Sequence, residues 1–268
     1  MLDTVARGGL VLLGCGKMGT ALLTGWLAAG VPTSSVWVIE PNPTDWLKAS
    51  GVHLNDGVPP APAVALLAVK PQMMGAALPA LQALGNGKTL FVSIAAGTSI
   101  ATFEAALGGQ TPIVRTMPNT PAMVGRGITG ICANAAGQSG LPLAKALMEA
   151  VGEVVELDGE HQIDAVTGVS GSGPAYVFHL IEAMAAAGVA EGLSPEVAMK
   201  LARATVCGAG ELAYRAPETA AQLRINVTSP GGTTAAALAH LMDAETGLPP
   251  LMVRAVHAAA ERGRELGK

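Results

Sequence analysis

The chain has 268 residues, enough for one large domain or two of ordinary size. It is 50% hydrophobic and only 13% charged, with a net charge of −4; this balance, without any Lys/Arg cluster, argues against a nucleic-acid partner. No apolar stretch reaches membrane-spanning length without Gly, Pro or charge interrupting it, so no membrane partner is expected, and a mean hydropathy of +0.43 points to apolar surface buried between subunits.

Leu10-Val11-Leu12-Leu13-Gly14-Cys15-Gly16-Lys17-Met18-Gly19 opens the organised part of the chain. A short apolar strand runs into G-x-G-x-x-G, and a helical pattern follows from Met18 to Ala29. Gly14 suits the dihedrals of a tight turn, Gly16 lets the backbone approach a pyrophosphate, and Gly19 lets the helix pack on its strand. The free N–H groups and dipole of the helix start, at Lys17 and Met18, favour the anionic diphosphate. In this strand–turn–helix setting the motif predicts dinucleotide binding. Leu12-Leu13-Gly14-Cys15 also resembles a lipoprotein cleavage site. The apolar run before it is too short for a signal segment, so none is expected.

Further strands are predicted at Val36–Ile39, Ala63–Val69, Thr89–Ile94 and Ile113–Arg115, with helices over Thr44–Ala49, Gln72–Leu84 and Ser99–Leu107 between them. Alternating β and α with near-continuous apolar strands means an α/β doubly wound, mostly parallel sheet of Rossmann type. Ile128–Cys132 and Val154–Leu157 read as closing strands around a helix at Leu141–Val151. Ligands of such sheets bind beyond the carboxyl ends of the strands. Those ends carry Gly14–Gly19, Glu40-Pro41-Asn42, Val69-Lys70-Pro71-Gln72, Ala95-Ala96-Gly97 and Met117-Pro118-Asn119, which together describe one crevice. Glu40 lies about 20 residues beyond Gly19, the place for an acid that hydrogen-bonds an adenosine ribose and repels a 2′-phosphate. The alternative is an ordinary solvated acid at a strand end. Lys70 either contacts a phosphate or substrate, or stands exposed before Pro71.

From about Gly159 strand signals stop. Helices are predicted from Ser172, with Pro174 in the first turn, to a stop at Gly188; from Ser194 to Tyr214; over Glu218–Leu223 and Thr234–Met242; and from Pro249 to Leu266. Their apolar residues nearly encircle them, and a helix apolar all round must be buried. So short a segment cannot bury every face by itself, which predicts a homodimer interface. The expected division is residues 1–158 for the dinucleotide-binding domain and 159–268 for an all-α dimerisation domain. Cys15, Cys132 and Cys207 have neither disulfide-framework nor zinc-ligand spacing, which suits a reducing cytoplasm and no metal.

A second constellation, Asn226-Val227-Thr228-Ser229-Pro230-Gly231-Gly232-Thr233-Thr234, precedes an Ala-rich helix. Thr233 or Thr234 can cap that helix, and the N–H groups of the turn make a nest for an anion such as a carboxylate. A capped helix after a plain turn is the other possibility.

Gly14–Gly19, Ala68-Val69-Lys70-Pro71-Gln72, Arg115-Thr116-Met117-Pro118-Asn119-Thr120-Pro121, Ser170-Gly171-Ser172-Gly173-Pro174-Ala175 and Val227–Thr234 occur in that order. Over nearly its whole length the chain resembles the pyrroline-5-carboxylate reductase family, which completes proline biosynthesis. The resemblance implies reduction of 1-pyrroline-5-carboxylate by NADPH or NADH, in the cytoplasm, by dimers that often assemble into decamers. The nicotinamide then lies over Ala95-Ala96-Gly97 and Pro118-Asn119. Asn226, Val227, Ser229, Gly231, Gly232 and Thr233 hold the substrate, and Thr234 faces the ring nitrogen as hydrogen-bond partner, either donating a proton or only orienting the imine. Lys17 stands where the family often has Asn, Arg215–Leu223 is longer than in many relatives, and Glu40 leans towards NADH where the family commonly uses NADPH.

The chemistry fits independently. Oxidising an alcohol needs a general base near the carbinol, and Asn226–Thr234 has no ionisable side chain. An iminium carries its own charge, and a neutral imine needs only a proton from a hydroxyl or water. A β-hydroxyacid dehydrogenase pattern, G-x-x-G-x-G-x-x-x-K-x-x-N, is matched at Gly168, Gly171 and Gly173, but Val177 and Leu180 stand at its Lys and Asn. A non-catalytic NAD(P)-sensing module would not need the second nest.

Overall fold

The computed structural model describes residues 1–267; Lys268, the last residue of the expected helical domain, lies outside them. Two compact units form, one from Met1–Gly171 with the chain from Ala259 onward, the other from Ser172–Ala258.

The first unit is built on eight strands: β1 (Leu10–Leu13), β2 (Val36–Ile39), β3 (His53–Leu54), β4 (Val64–Leu67), β5 (Leu90–Ser93), β6 (Ile113–Met117), β7 (Gly127–Ala133) and β8 (Gly152–Glu156). Their order is β3-β2-β1-β4-β5-β6-β7-β8, and only β6 and β7 pair antiparallel. The helices are α1 (Leu2–Gly8), α2 (Lys17–Ala28), α3 (Asp45–Ala49), α4 (Pro71–Ala77), α5 (Ile100–Leu107), α6 (Leu141–Glu149) and α7 (Ile163–Val166). The order reverses between β1 and β4, the switch point where doubly wound sheets open a ligand crevice.

Alternate strand residues enter opposite cores, as a period of two requires. Leu10, Leu12, Val64, Leu66, Leu90 and Val92 pack with Trp26 and Leu147 on one face. Val11, Leu13, Ala65, Leu67 and Phe91 pack with Leu81 and Phe103 on the other. β1, β4 and β5 are therefore buried throughout. The Trp26 indole N–H donates to the Leu147 carbonyl at 2.8 Å, so the largest core side chain satisfies its polar atom.

The second unit holds α8 (Gly173–Ala190), α9 (Pro195–Arg215), α10 (Ala220–Asn226), α11 (Thr233–Leu241) and the start of α12 (Leu248–Leu266). Its buried core is small: Ala185, Ala198 and Ala202 where α8 meets α9. Phe178 is 61% exposed, Leu201 53% and Val253 70%, so these apolar faces have no cover from the described residues. The helical run Glu160–Ala190, with a π turn at Thr167–Gly171, is long and apolar enough by length and composition to cross a membrane, but Gly168, Gly171, Gly173 and Pro174 interrupt its apolar sequence.

Several local expectations are corrected. The helix expected over Gln72–Leu84 ends at Ala77 and continues as a 3₁₀ segment, Leu78–Leu84. Pro79 lacks the N–H that an α-helix needs there. The helix expected to stop at Gly188 continues to Ala190. An added Cβ at Gly188 would lie 3.3 Å from the Ala198 and Leu193 side chains, so this glycine serves helix–helix approach and not termination. α1 and β3 were not anticipated.

Candidate active site

Three glycines shape the end of β1 in three ways. Gly14 has φ +89°, and a Cβ there would lie 2.8 Å from Val69 Cγ1. A Cβ on Gly19 would lie 2.7 Å from the Gly14 carbonyl oxygen, which sets how closely α2 sits on the turn. A Cβ on Gly16 would meet nothing within 4 Å. Gly16 is the N-cap of α2 and supplies no side-chain cap, so the N–H groups around Lys17 and Met18 remain open to an anion. The turn is anchored on both sides: Gly14 N–H donates to the Ile39 carbonyl at 2.9 Å and Ala68 N–H to the Leu13 carbonyl at 2.8 Å. The Cys15 thiol packs beside Thr20, and burial pushes its pKa up.

Glu40, just past β2, is tied to the glycine turn. Its Oε2 accepts from Cys15 N–H at 2.8 Å, and its Oε1 accepts from Asn42 N–H at 2.9 Å. The backbone of Glu40 is bracketed by Asn55, whose side chain accepts from Glu40 N–H and donates to the Glu40 carbonyl, both at 3.0 Å. Asn55 has φ +56°, a conformation Asn tolerates better than most residues. Sequence reasoning passed it over, although Asn55-Asp56-Gly57 is a recognisable turn signal.

The remaining strand ends follow β4, β5 and β6, next in the sheet order after β1. Lys70 is exposed and is the N-cap of α4, with Pro71 as the first helical residue. Ala95 N–H donates to Ser93 Oγ at 3.2 Å. Gly97 is covered by the last turn of α12; a Cβ there would lie 2.8 Å from Leu266 Cβ. After β6, Pro118 and Asn119 are buried, and Asn119 Oδ1 accepts from Ile128 N–H at 3.0 Å. The Asn119 carboxamide oxygen thus holds the start of β7. Beneath this loop Arg115 and Glu160 form an ion pair at 2.6 Å. Cys132, opposite Arg115 in the β6–β7 pair, has its thiol pushed up to about 11 by burial and by the Glu160 charge.

In the second unit, α10 ends at Asn226, whose side-chain oxygen accepts from Gln222 at 2.8 Å. Val227, Ser229 and Gly231 are exposed. Gly232 N–H donates to the Ser229 carbonyl at 3.0 Å, closing a turn that takes Gly231 to φ +68°. The N-cap of α11 is Gly232, and Thr233 and Thr234 form its first turn. The expected threonine cap is corrected: both hydroxyls stand inside the helix start, where a cap must stand before it. The turn carries hydroxyls and backbone N–H groups and no charge.

Residues 10–97 match the model of a family described as NADP oxidoreductase, coenzyme F420-dependent, and residues 160–266 match one described as pyrroline-5-carboxylate reductase dimerisation. A Rossmann-type crevice followed by helices with uncovered apolar faces defines the class: a nicotinamide-dependent oxidoreductase with a helical dimerisation domain. The chain is 42% identical over 266 residues to the pyrroline-5-carboxylate reductase of Pseudomonas aeruginosa, covering 97% of each. It is 38% identical over 267 residues to that of Methanosarcina acetivorans, covering 96% of this chain and 97% of the other. Its structure resembles a pyrroline-5-carboxylate reductase of Coxiella burnetii with a TM-score of 0.90 and 36% identity, covering 97% and 99% of the two chains. The Plasmodium falciparum pyrroline carboxylate reductase, solved with NADP bound, has a TM-score of 0.81 at 29% identity, with 97% and 98% covered. The chain belongs to the pyrroline-5-carboxylate reductase family.

Proposed function

We propose that this chain reduces 1-pyrroline-5-carboxylate to L-proline with NADH or NADPH. The observation that carries the reading is the pairing of two unlike sites. One is a glycine turn whose Gly16 leaves room for a diphosphate. The other is a helix N-terminus whose turn, Asn226–Thr234, has hydroxyls and N–H groups but no ionisable side chain. Such a turn suits an imine acid and lacks the base that alcohol oxidation needs.

Gly14, Gly16, Lys17, Met18 and Gly19 would hold the diphosphate through backbone N–H groups and the start of α2. Glu40 and Asn42 take the adenosine ribose, while Ala68, Val69, Lys70 and Pro71 line the crevice beside β4. Ala95, Ala96, Gly97, Pro118 and Asn119 form the nicotinamide end. When bound, the nicotinamide supplies the hydride. Asn226, Val227, Ser229, Gly231, Gly232 and Thr233 bind the imine acid, its carboxylate lying at the positive end of α11. The Thr234 hydroxyl meets the ring nitrogen: it orients an iminium, whose nitrogen already holds its proton, or passes to a neutral imine a proton that water returns to the hydroxyl.

Residues 1–158 serve the nucleotide and residues 159–268 the substrate and the dimer. The exposed apolar faces of α8, α9 and α12 support a dimer, and we extend this to assembly of dimers into a decamer. Three free cysteines support a reducing cytoplasm as its location.

The test follows nicotinamide absorbance after the imine acid is added to the chain with NADH or NADPH. Loss of absorbance with proline as product is expected. No turnover with either cofactor, or oxidation of β-hydroxy acids instead, refutes the proposal. Sedimentation giving a monomer at micromolar concentration refutes the interface.

A further inference from the structure

We infer that Arg115 and Glu160 form a positioning pair for the nicotinamide side of the crevice, an inference that rests on the function proposed above. Arg115 is 5% exposed in β6 and stands just ahead of Pro118-Asn119. Ile100 is the first residue of α5, just after Gly97 and next to the Ser99 cap. A single oxygen, Glu160 Oε1, accepts from Arg115 Nη1 at 2.6 Å and from Ile100 N–H at 2.7 Å. One carboxylate therefore ties β6, three residues before Pro118, to the start of α5, three residues after Gly97. It holds the elements on which the two loops assigned to the nicotinamide are mounted, at the start of the helical region that the dimerisation family matches.

The pair is not explained by stability alone. Removing charges from water costs about as much as the pair returns, and apolar residues often fill such a place equally well. What the charges add is direction. Two donors from different elements converge on one oxygen, at distances short enough to be charge-assisted. Arg115 Nε is buried and has no hydrogen-bond partner among the described residues. The guanidinium is thus placed to meet Glu160 and leaves one of its own N–H groups unsatisfied. The carboxylate also faces the positive end of α5, which favours its charge. Neither residue is assigned contact with the nucleotide; both act through residues 95–97 and 118–119.

The experiment compares two ligands on the full chain by calorimetric titration. NADH spans the whole crevice, whereas ADP-ribose occupies only the adenosine and diphosphate part. NADPH and 2′-phospho-ADP-ribose form the matching pair for the phosphorylated cofactor. Glu160→Gln keeps an acceptor oxygen and removes the charge. It is expected to weaken the dinucleotide about tenfold, leave the ADP-ribose compounds within about twofold, and lower kcat about 10- to 100-fold, the scale of a misplaced reacting group. Arg115→Lys keeps a charge but not the fork, and a smaller loss of the same kind is expected. It decides the matter if Glu160→Gln does not fold. Equal weakening of both ligands, or of neither, in a folded variant overturns the positioning role while leaving the proposed function intact. A wild-type chain that binds neither ligand overturns both.

Discussion

Glu40→Gln is expected to shift the choice between NADH and NADPH. The Glu40 carboxylate cannot swing aside, because Cys15 N–H and Asn42 N–H hold its two oxygens at 2.8 and 2.9 Å. A 2′-phosphate placed on the ribose would meet a fixed negative charge. At about 5 Å and an effective dielectric of about 20, unit charges repel by roughly 3 kcal/mol. Glu40 is half-buried, and solvent screening reduces this to about 1–2 kcal/mol, a factor of roughly 5 to 30 in relative kcat/KM. The glutamine amide keeps only one acceptor for two donors, a local loss of about 1 kcal/mol. That loss falls on both cofactors alike, so the ratio of the two kcat/KM values isolates the charge. Wild type is expected to use NADH at least as well as NADPH, and Glu40→Gln to move the ratio towards NADPH. The shift should shrink as salt is raised. Steady-state kinetics with both cofactors at saturating imine acid provide the measurement. If wild type strongly prefers NADPH and neither Glu40→Gln nor Glu40→Ala changes the ratio, Glu40 only ties the turn together and the repulsion argument is wrong.

The three glycines should separate stability from binding. Gly14→Ala strains a positive φ and meets Val69, costing roughly 1–3 kcal/mol, and Gly19→Ala meets the Gly14 carbonyl, so both should lower Tm without ligand. Gly16→Ala should leave Tm unchanged and weaken dinucleotide binding; a lowered Tm there, with binding intact, would contradict the open-space reading. Thr234→Ala should cut turnover about 10- to 100-fold with little change in cofactor affinity, and Thr234→Ser should recover most of it. Full kcat/KM in a folded Thr234→Ala chain would remove that residue from the chemistry. Cys15 and Cys132 are buried with their thiols pushed towards the protonated form, so both should resist iodoacetamide at pH 8 until the protein unfolds. Mass spectrometry showing either alkylated at the rate of a free thiol would refute this.

The first unit was legible where a local sequence constraint determined geometry. β1 and the glycine turn followed from an apolar run that enters residues only glycine suits, and the strand-end loops followed from strand direction. β3 escaped because two residues, His53-Leu54, carry no period. Pro79 and Gly188 misled in opposite senses. A proline broke a helix whose apolar period continued through it, while a glycine that resembled a stop served close packing. Thr233 and Thr234 looked like caps because the sequence does not show on which residue the helix begins. The Arg115–Glu160 pair was out of reach, its members lying 45 residues apart. The only local sign was a charge inside an apolar strand. The bonds between Glu40, Cys15 and Asn55 were equally hidden, although Glu40 itself was placed by its distance from the glycines.

The first unit is not continuous in sequence. Residues 172–258 leave it and return, and Ala259 onward completes it. Within it Gly263 packs close to Asp164, a Cβ there lying 3.1 Å from Asp164 Oδ1, and Leu266 covers Gly97. A ribosome therefore makes the whole sheet, and then every residue of the helical unit, before it makes the segment that finishes the first unit. Domains that fold as they are made generally complete in order from the N-terminus, but this one must wait. During synthesis the loop at Gly97 stays uncovered until residues 259–267 arrive. A proteolytic cut near Ala258 would split α12 and leave the Leu266 cover of Gly97 attached by packing alone.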